Sequence, residues 1–435
     1  MSKSKASSFK YHWNRQDTPE AINNALAKVI QYFPQLSPDT DNGKKIIFKY
    51  TPDASSTFLL NNHDEVIIEY NKLNLAMRMV GNLISGCDEN TRESSSFEMF
   101  GIMLDCSRNA VMLPQRMEQY FVRLALMGYN MIMLYTEDTY EIADEPFFGF
   151  MRGRLSMAEV RTMDDICYAL GMEMIPCIQT LGHLEQIFHW PRFGAVKDTD
   201  RVMLVDADAT YELIEKMVAT WKNNVRTNRI HVGMDETHDI GRGQFYDLHG
   251  DERHYDIFNR HLRRVTEISE NQGMKPMIWS DMYFRMGSKG NDYYDVNCAI
   301  PDDVAQQIPA NAELVYWDYY HDNKAFYLDW IERHRKLGHE PLMGSGIWTW
   351  NKFWYDKDTT QRTVVPCVQA CREVGVKEIF FTMWGDDGGF CDFNSAMAGL
   401  FFAAELGFTG VADEKIINQK YAALLDKANY DHVLL

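Results

Sequence analysis

The sequence predicts an α/β protein built on a (β/α)8 TIM barrel, preceded by a small α/β domain and followed by a short helical C-terminal segment. Three observations predict this. Eight short apolar strands recur from about residue 99 onward, each stopping on a polar or Trp cluster. Helical patterns fill the gaps between them, with room for one helix and its loops. No Gly-rich phosphate loop follows any strand, which counts against a doubly wound open sheet.

The boundaries read as 1–97 for the small domain, 98–412 for the barrel and 413–435 for the helical segment. Within the first, Thr18 to Phe33 has helical spacing, with Ile22, Ala25, Ile30 and Phe33 on one side. Lys45 to Tyr50 and Glu65 to Tyr70 read as strands, and Asn61, Asn62 and Asp64 supply turn chemistry before the second. Leu73 to Leu83 reads as a helix, and the polar stretch from Gly86 to Ser96 marks the boundary.

The barrel strands follow in order. Gly101 to Leu104 ends on Asp105 and Arg108, Met131 to Tyr135 on Glu137 and Asp138, and Glu173 to Ile178 on Gln179 and His183. Ile230 to Met234 ends on Asp235 and Glu236, Pro276 to Trp279 on Asp281, and Leu314 to Trp317 on Asp318 and Tyr319. Leu342 to Ile347 ends on Trp348 and Trp350, and Ile379 to Trp384 on Asp386. Helices are predicted over 115–127, 163–170, 211–225 and 256–271, with an eighth from Phe393 to Ala404 and a last one from Glu414 to Lys427. A barrel of this kind carries its active site at the C-terminal strand ends, where these polar and Trp residues fall.

Composition narrows the function. The chain of 435 residues is 46% hydrophobic, ample for a large core, and its net charge of -18 argues against nucleic acid and anionic membranes as partners. The eight Cys form no C-x-x-C pair and read as reduced, buried thiols. The N-terminus, Met1 to Ser8, lacks the apolar core of a signal peptide, and no run of eighteen apolar residues occurs. A cytoplasmic location is expected. The sequence carries no signal for oligomeric state.

The chemistry centres on Arg229 to Thr237, an apolar strand that stops on two adjacent acids. Neighbouring carboxylates repel, which is expected to push their pKa values apart and yield an acid beside an anion. Five Trp (279, 317, 348, 350 and 384) stand at four late strand ends among carboxylates. Sugar rings have apolar faces and hydroxyl edges, so such a wall suits a sugar. The fork of Arg108 suits vicinal hydroxyls, and Asp386 can accept from others.

His231-Val232-Gly233-Met234-Asp235-Glu236, with Leu104-Asp105-Cys106-Ser107-Arg108, Leu181-Gly182-His183 and Met383-Trp384-Gly385-Asp386, resembles glycoside hydrolase family 20, the β-N-acetylhexosaminidases. The resemblance spans about residues 99 to 410. It implies an exo-acting enzyme that removes terminal amino sugars from glycans or glycoconjugates, retains configuration and needs no cofactor or metal. The substrate's own 2-acetamido oxygen would attack the anomeric carbon, giving an oxazolinium ion. Glu236 would be the acid and then the base, and Asp235 would orient the acetamido N–H. Arg108 would hold the far edge of the sugar, Trp384 would lie beneath it, and Trp279 and Trp317 would wall the acetamido pocket. His183 and Glu137 would support the acid and the sugar edge. Asp138 is an alternative to Glu137, and His183 reads equally as a structural histidine.

Three departures from the family stand out. Asp386 replaces the usual Glu, Gln179 replaces an acid before the Gly-His, and the seventh strand offers no acetamido-binding Tyr. Tyr319 on the sixth strand is the expected substitute. Other readings are a retaining glycosidase with Asp281, Asp318 or Asp386 as nucleophile, a sugar-binding barrel without catalysis, and a metal-dependent hydrolase, against which the cation Arg108 at the first strand counts.

Overall fold

The computed structural model describes residues 10–87, 89–109 and 111–425. The N-terminal stretch Met1 to Ser8, and the end of the last helix as expected through Lys427, lie outside them.

The small domain is a mixed six-stranded sheet. Its strands are β1 (Tyr11–Trp13), β2 (Leu36–Pro38), β3 (Lys44–Tyr50), β4 (Thr57–Asn61), β5 (Glu65–Tyr70) and β6 (Thr91–Glu93), in the order β2-β1-β3-β5-β4-β6. β3 and β5 are the expected pair and run parallel. Their alternation buries Ile46 and Phe48 on one strand and Val66, Ile68 and Tyr70 on the other. The sequence reading missed the other four. Three of them have only three residues, too few for a period of two to show. β6 crosses the polar stretch taken as a boundary.

Eight parallel strands then close into a barrel: β7 (Met99–Asp105), β8 (Met131–Tyr135), β9 (Glu173–Cys177), β10 (Arg229–His231), β11 (Lys275–Trp279), β12 (Glu313–Trp317), β13 (Leu342–Gly346) and β14 (Glu378–Met383). Closure runs through β14 and β7, paired from Glu378↔Met99 to Met383↔Leu104. Both faces of each strand are covered, which is why these segments read as apolar runs. Met99, Met103, Met131, Met133 and Met277 fill the interior with Ile175, Val315 and Phe380. Unbranched Met adapts to the irregular space of a tapering barrel, and each buried side chain of this size contributes about 1.5–3 kcal/mol.

Two expectations need correction. β10 ends at His231, not Met234, because Gly233 (φ 73°), Met234 (φ 74°) and Glu236 (φ 50°) take left-handed backbone. The acid pair therefore stands on a turn, and strand alternation does not set its direction. The eighth helix runs over Met397–Thr409 rather than from Phe393. It is buried from Met397 to Phe408, so no amphipathic stripe marks its start.

The helix Leu73–Ile84 ties the small sheet to the barrel and is buried from Asn74 to Ile84. Its Arg78 pairs with Glu93 of β6 and with Glu405 of the Met397–Thr409 helix at 3.1 Å, and donates to the Met127 carbonyl. Lys420, on the helix Glu414–Leu424, completes the network at 2.6 Å from Glu405. Two cations thus face two carboxylates in a dry site, the condition under which burying charge is tolerable. Among the described residues, no helix is long and apolar enough to cross a membrane.

Candidate active site

A cavity of about 310 Å³ opens at the C-terminal end of the barrel strands. Arg108, His183, Asp235, Glu236, Trp279, Trp317, Tyr319, Trp350, Trp384 and Asp386 line it, together with Tyr320. Ten of the twelve residues singled out from the sequence thus converge on one space. Trp348 does not line it, but stacks on Trp350 with ring centroids 4.1 Å apart. Glu137 is buried behind Arg108, 3.2 Å from its Nη2.

The turn after β10 shapes the acid pair. His231 is fully buried, and its Nδ1 accepts the Gly233 N–H at 3.1 Å. Burial pushes its pKa down to about 3, so the ring stays neutral and can accept. Gly233 lies against the Gln179 side chain so closely that a Cβ would fall 2.0 Å from Gln179 Oε1. Only glycine allows both the left-handed backbone and that approach. The approach matters because Gln179 Nε2 donates to Asp235 Oδ1 at 2.9 Å and to the Tyr135 hydroxyl at 3.0 Å. Gln179, a departure from the family pattern, thus has a definite position here.

His183 bridges the two acids, with Nε2 3.2 Å from Asp235 Oδ2 and 3.4 Å from Glu236 Oε2. Burial alone would lower its pKa, but Asp235 and Glu236 raise it well above the ordinary value. The two facing carboxylates thus favour the charged form of the ring. Its contact holds Glu236 below its usual carboxylate range against burial and the Asp235 charge. Burial would raise Asp235, yet His183 and Gln179 hold it low as well. The expected splitting of the pair is not what this arrangement gives: a shared cation lowers both.

Asp281 supports the turn from behind, its Oδ2 accepting the Glu236 N–H at 3.1 Å. Burial and the nearby Asp235 charge push its carboxyl up to about 8. Tyr293, from the loop after β11, donates to Glu236 Oε1 at 3.2 Å. The sequence reading missed Tyr293 and Tyr320, and nothing in the strand rhythm points to Tyr293.

Opposite the acids, Arg108 Nη1 lies 3.0 Å from Asp105 and 3.8 Å from Asp386. Its cation also rests over the Tyr135 and Trp384 rings, at 4.8 and 5.4 Å. Asp105 accepts the Gly385 N–H as well, so it orients Arg108 and the β14 loop together. Burial lifts Glu137 and Asp386 to about 6 each, against the pull of Arg108. The aromatic wall is continuous. Trp317 stacks on Tyr319 at 5.3 Å, and Trp384 Nε1 donates to the Tyr319 hydroxyl at 3.1 Å. Tyr319 sits where it does because β13 carries Gly346, whose Cβ would lie 2.8 Å from the Tyr319 ring. The missing seventh-strand side chain and the sixth-strand Tyr are two halves of one packing solution.

Among the described residues, no group of three His, Cys, Asp or Glu side chains is placed to hold a metal ion.

No protein-family model and no curated protein match the sequence. Solved structures do match its fold. An exo β-N-acetylglucosaminidase of glycoside hydrolase family 20 from Vibrio harveyi, in complex with N-acetylglucosamine, aligns at TM-score 0.70 and 13% identity, over 98% of this chain and 75% of that one. The family 20 β-N-acetylhexosaminidase of Streptomyces coelicolor aligns at 0.67 and 15%, over 98% and 92%. That of Streptomyces plicatus, in complex with Thio-NAglucal, aligns at 0.68 and 16%, over 97% and 91%. The chain is similar to these β-N-acetylhexosaminidases in fold, barrel and small domain alike.

Proposed function

We propose that the protein is an exo-acting β-N-acetylhexosaminidase that cleaves terminal β-linked N-acetylglucosamine or N-acetylgalactosamine with substrate assistance. The observation that carries this reading is the convergence of Asp235 and Glu236, an aromatic wall and Arg108 on one cavity of about 310 Å³. One adjacent acid reaches the glycosidic oxygen while its neighbour reaches the 2-acetamido group of the same ring.

In this scheme the acetamido oxygen attacks the anomeric carbon as the glycosidic bond breaks, and Glu236 delivers its proton to the leaving oxygen. Asp235 accepts the acetamido N–H and offsets the positive charge of the oxazolinium. Water then attacks the same carbon, the oxazolinium ring opens as its bond to that carbon breaks and the acetamide is restored, and Glu236 takes a proton from the water. The first step therefore draws on the protonated form of Glu236, which the step itself converts to the carboxylate. Trp279, Trp317 and Tyr319 surround the acetamido group, Trp384 lies under the ring, and Arg108 and Asp386 take hydroxyls at the far edge.

The geometry favours this over a carboxylate nucleophile. The Asp281 carboxyl, pushed up to about 8 by burial and the Asp235 charge, already accepts the Glu236 N–H. Asp318 is fully buried and bonded by Tyr316, Tyr320 and His321. Asp386 is engaged by Arg108 at 3.8 Å.

The test compares a chromogenic β-N-acetylglucosaminide with the matching plain β-glucoside, with Glu236→Gln as control. Cleavage of the acetamido sugar alone, reduced by about 10²–10⁴-fold in the mutant, is expected. Equal cleavage of the plain glucoside would point to a protein nucleophile. Binding of the acetamido sugar without turnover would make the barrel a sugar-binding protein.

A further inference from the structure

Glu236 is gripped on both oxygens by different parts of the fold. Oε2 faces His183 at 3.4 Å, and Oε1 accepts from the Tyr293 hydroxyl at 3.2 Å. The Tyr293 hydroxyl is in turn hydrogen-bonded to Nε2 of His238, two residues beyond Glu236 on the same turn. Tyr293 comes from the loop that follows the helix Asp281–Gly287, so a remote loop closes a small ring with the acid's own turn. The tyrosine is held from its other sides as well. Its ring packs on Trp317 at 5.4 Å and on Tyr294 at 6.4 Å, and the Arg285 cation lies over it at 5.3 Å.

We propose that Tyr293, braced by His238, is a positioning residue for Glu236 that serves both of its protonation states. This rests on the reading of Glu236 as acid and base. With Glu236 ionised, the Tyr293 O–H donates to Oε1 and His238 Nε2–H donates to the Tyr293 oxygen. With Glu236 protonated on Oε1, both bonds reverse: the acid donates to the Tyr293 oxygen, and the Tyr293 O–H donates to Nε2 of the other His238 tautomer. The carboxyl keeps one orientation through both steps because its partner can donate or accept. A Lys or Arg in that place could only donate, and would trap the anion.

Other charges act on the same ring. Asp235, His183 and Asp281 face Glu236. Asp281 and Arg285 face Tyr293, and Arg201, Arg285 and Asp239 act on His238. None of them bonds to the Tyr293 hydroxyl among the contacts of the described residues, so Tyr293→Phe removes that hydroxyl's two hydrogen bonds, to Glu236 and His238, and leaves those charges in place.

The test uses the whole protein and a series of aryl β-N-acetylglucosaminides, from dinitrophenyl to methylumbelliferyl leaving groups, with full pH profiles. Tyr293→Phe is expected to lower kcat/KM about 10- to 100-fold on the poor leaving group, the value of one hydrogen bond to a charged partner. It should change the dinitrophenyl substrate less than about 2-fold, because that leaving group needs little acid help. The alkaline limb should move to higher pH, since the anion of Glu236 has lost a donor. His238→Gln, which keeps a side chain able to donate or accept, should show the smaller version of both effects. An equal loss on every leaving group with an unmoved pH profile in Tyr293→Phe would overturn the proposal and leave Tyr293 as packing. An unchanged profile in a folded His238→Gln would overturn the part given to His238. A wild-type protein that cleaves no acetamido substrate would overturn this proposal together with the reading beneath it, whereas wild-type turnover with indifferent mutants would overturn this one alone.

Discussion

Both ends of the barrel hold an arginine among carboxylates, and the two are built differently. At the N-terminal end, Arg229 grips Glu378 with two nitrogens, at 3.1 and 2.5 Å, and reaches Glu313 at 3.1 Å. Lys275 takes the other oxygen of Glu313 at 2.8 Å. Two cations answer two anions, and the barrel floor is closed. At the C-terminal end, Arg108 faces Asp105, Glu137 and Asp386, Arg152 reaches Glu137 at 3.8 Å, and Asp235 and Glu236 line the same cavity beside His183, with Asp281 behind them. Here the acids outnumber the cations. Burial holds several of them at raised pKa values, and the neighbouring acids add to it. Matched charges serve a floor, whereas surplus carboxylates in a dry space are what proton chemistry requires. The mismatch has a stability cost that the rest of the fold must offset.

The comparison breaks most visibly if the two arginines are removed in turn. Arg229→Met should destabilise the protein by about 1–3 kcal/mol in denaturant unfolding, because the half-buried Glu378 loses its partner and Glu313 keeps only Lys275. Whatever remains folded should keep its KM. Arg108→Met should destabilise less, since Glu137 and Asp386 already lie near the point of taking up protons, at about 6. Its turnover of the acetamido sugar should fall about 10²-fold, because the far edge of the ring is no longer fixed. Equal stability losses with equal activities would mean that the two ends are not specialised in this way.

The contrast also accounts for what the sequence discloses. The barrel is legible because eight buried strands and their helices impose a rhythm, and no Gly-rich phosphate loop follows any strand to favour the open sheet that shares it. Most of the candidate site is legible because barrel geometry gathers the residues just past each strand, whatever their separation in the chain. Tyr293 escapes that logic, since it reaches Glu236 from the middle of a long loop, and loops carry no period. The turn at Gly233 to Glu236 escapes it too. Its backbone is set by Gln179 and His231, contacts that exist only after folding. Arg229 looks like any polar strand start until Glu313 and Glu378 are seen beside it. In the small domain, edge strands of three residues are stabilised by their neighbours rather than by their own pattern.

A subtler test follows from Asp281. Its carboxyl, carried to about 8 by burial and the Asp235 charge, binds its proton more tightly in the folded than in the unfolded chain. Such a group costs nothing below the unfolded value of about 4. The cost grows as pH rises from there and is complete above about 8. Asp281→Asn removes the charge and keeps an oxygen that can accept the Glu236 N–H. Its Tm should match wild type near pH 4 and exceed it increasingly up to pH 8 and beyond. A constant offset at all pH values would show that packing, not ionisation, separates the two. A lower Tm at high pH would show that the anion is stabilised here.

The smallest effect is expected at Asp386, the acid nearest solvent in the Arg108 cluster, its side chain 46% exposed. At 3.8 Å from Arg108 it makes only a loose ion pair, and exposed pairs contribute about 0–1 kcal/mol. Its value therefore lies in what it offers a ligand rather than in holding the fold. Asp386→Glu adds one methylene and brings the carboxylate further into the cavity, so stability should stay within about 0.5 kcal/mol of wild type. KM for the N-acetylglucosaminide should change by about 2- to 5-fold relative to the N-acetylgalactosaminide, the scale of one altered hydrogen bond at the 4-hydroxyl that distinguishes the two sugars. If both KM values move together, Asp386 does not read that hydroxyl. The surplus of acids at this end would then serve proton chemistry alone, with sugar recognition left to Arg108 and the Trp wall.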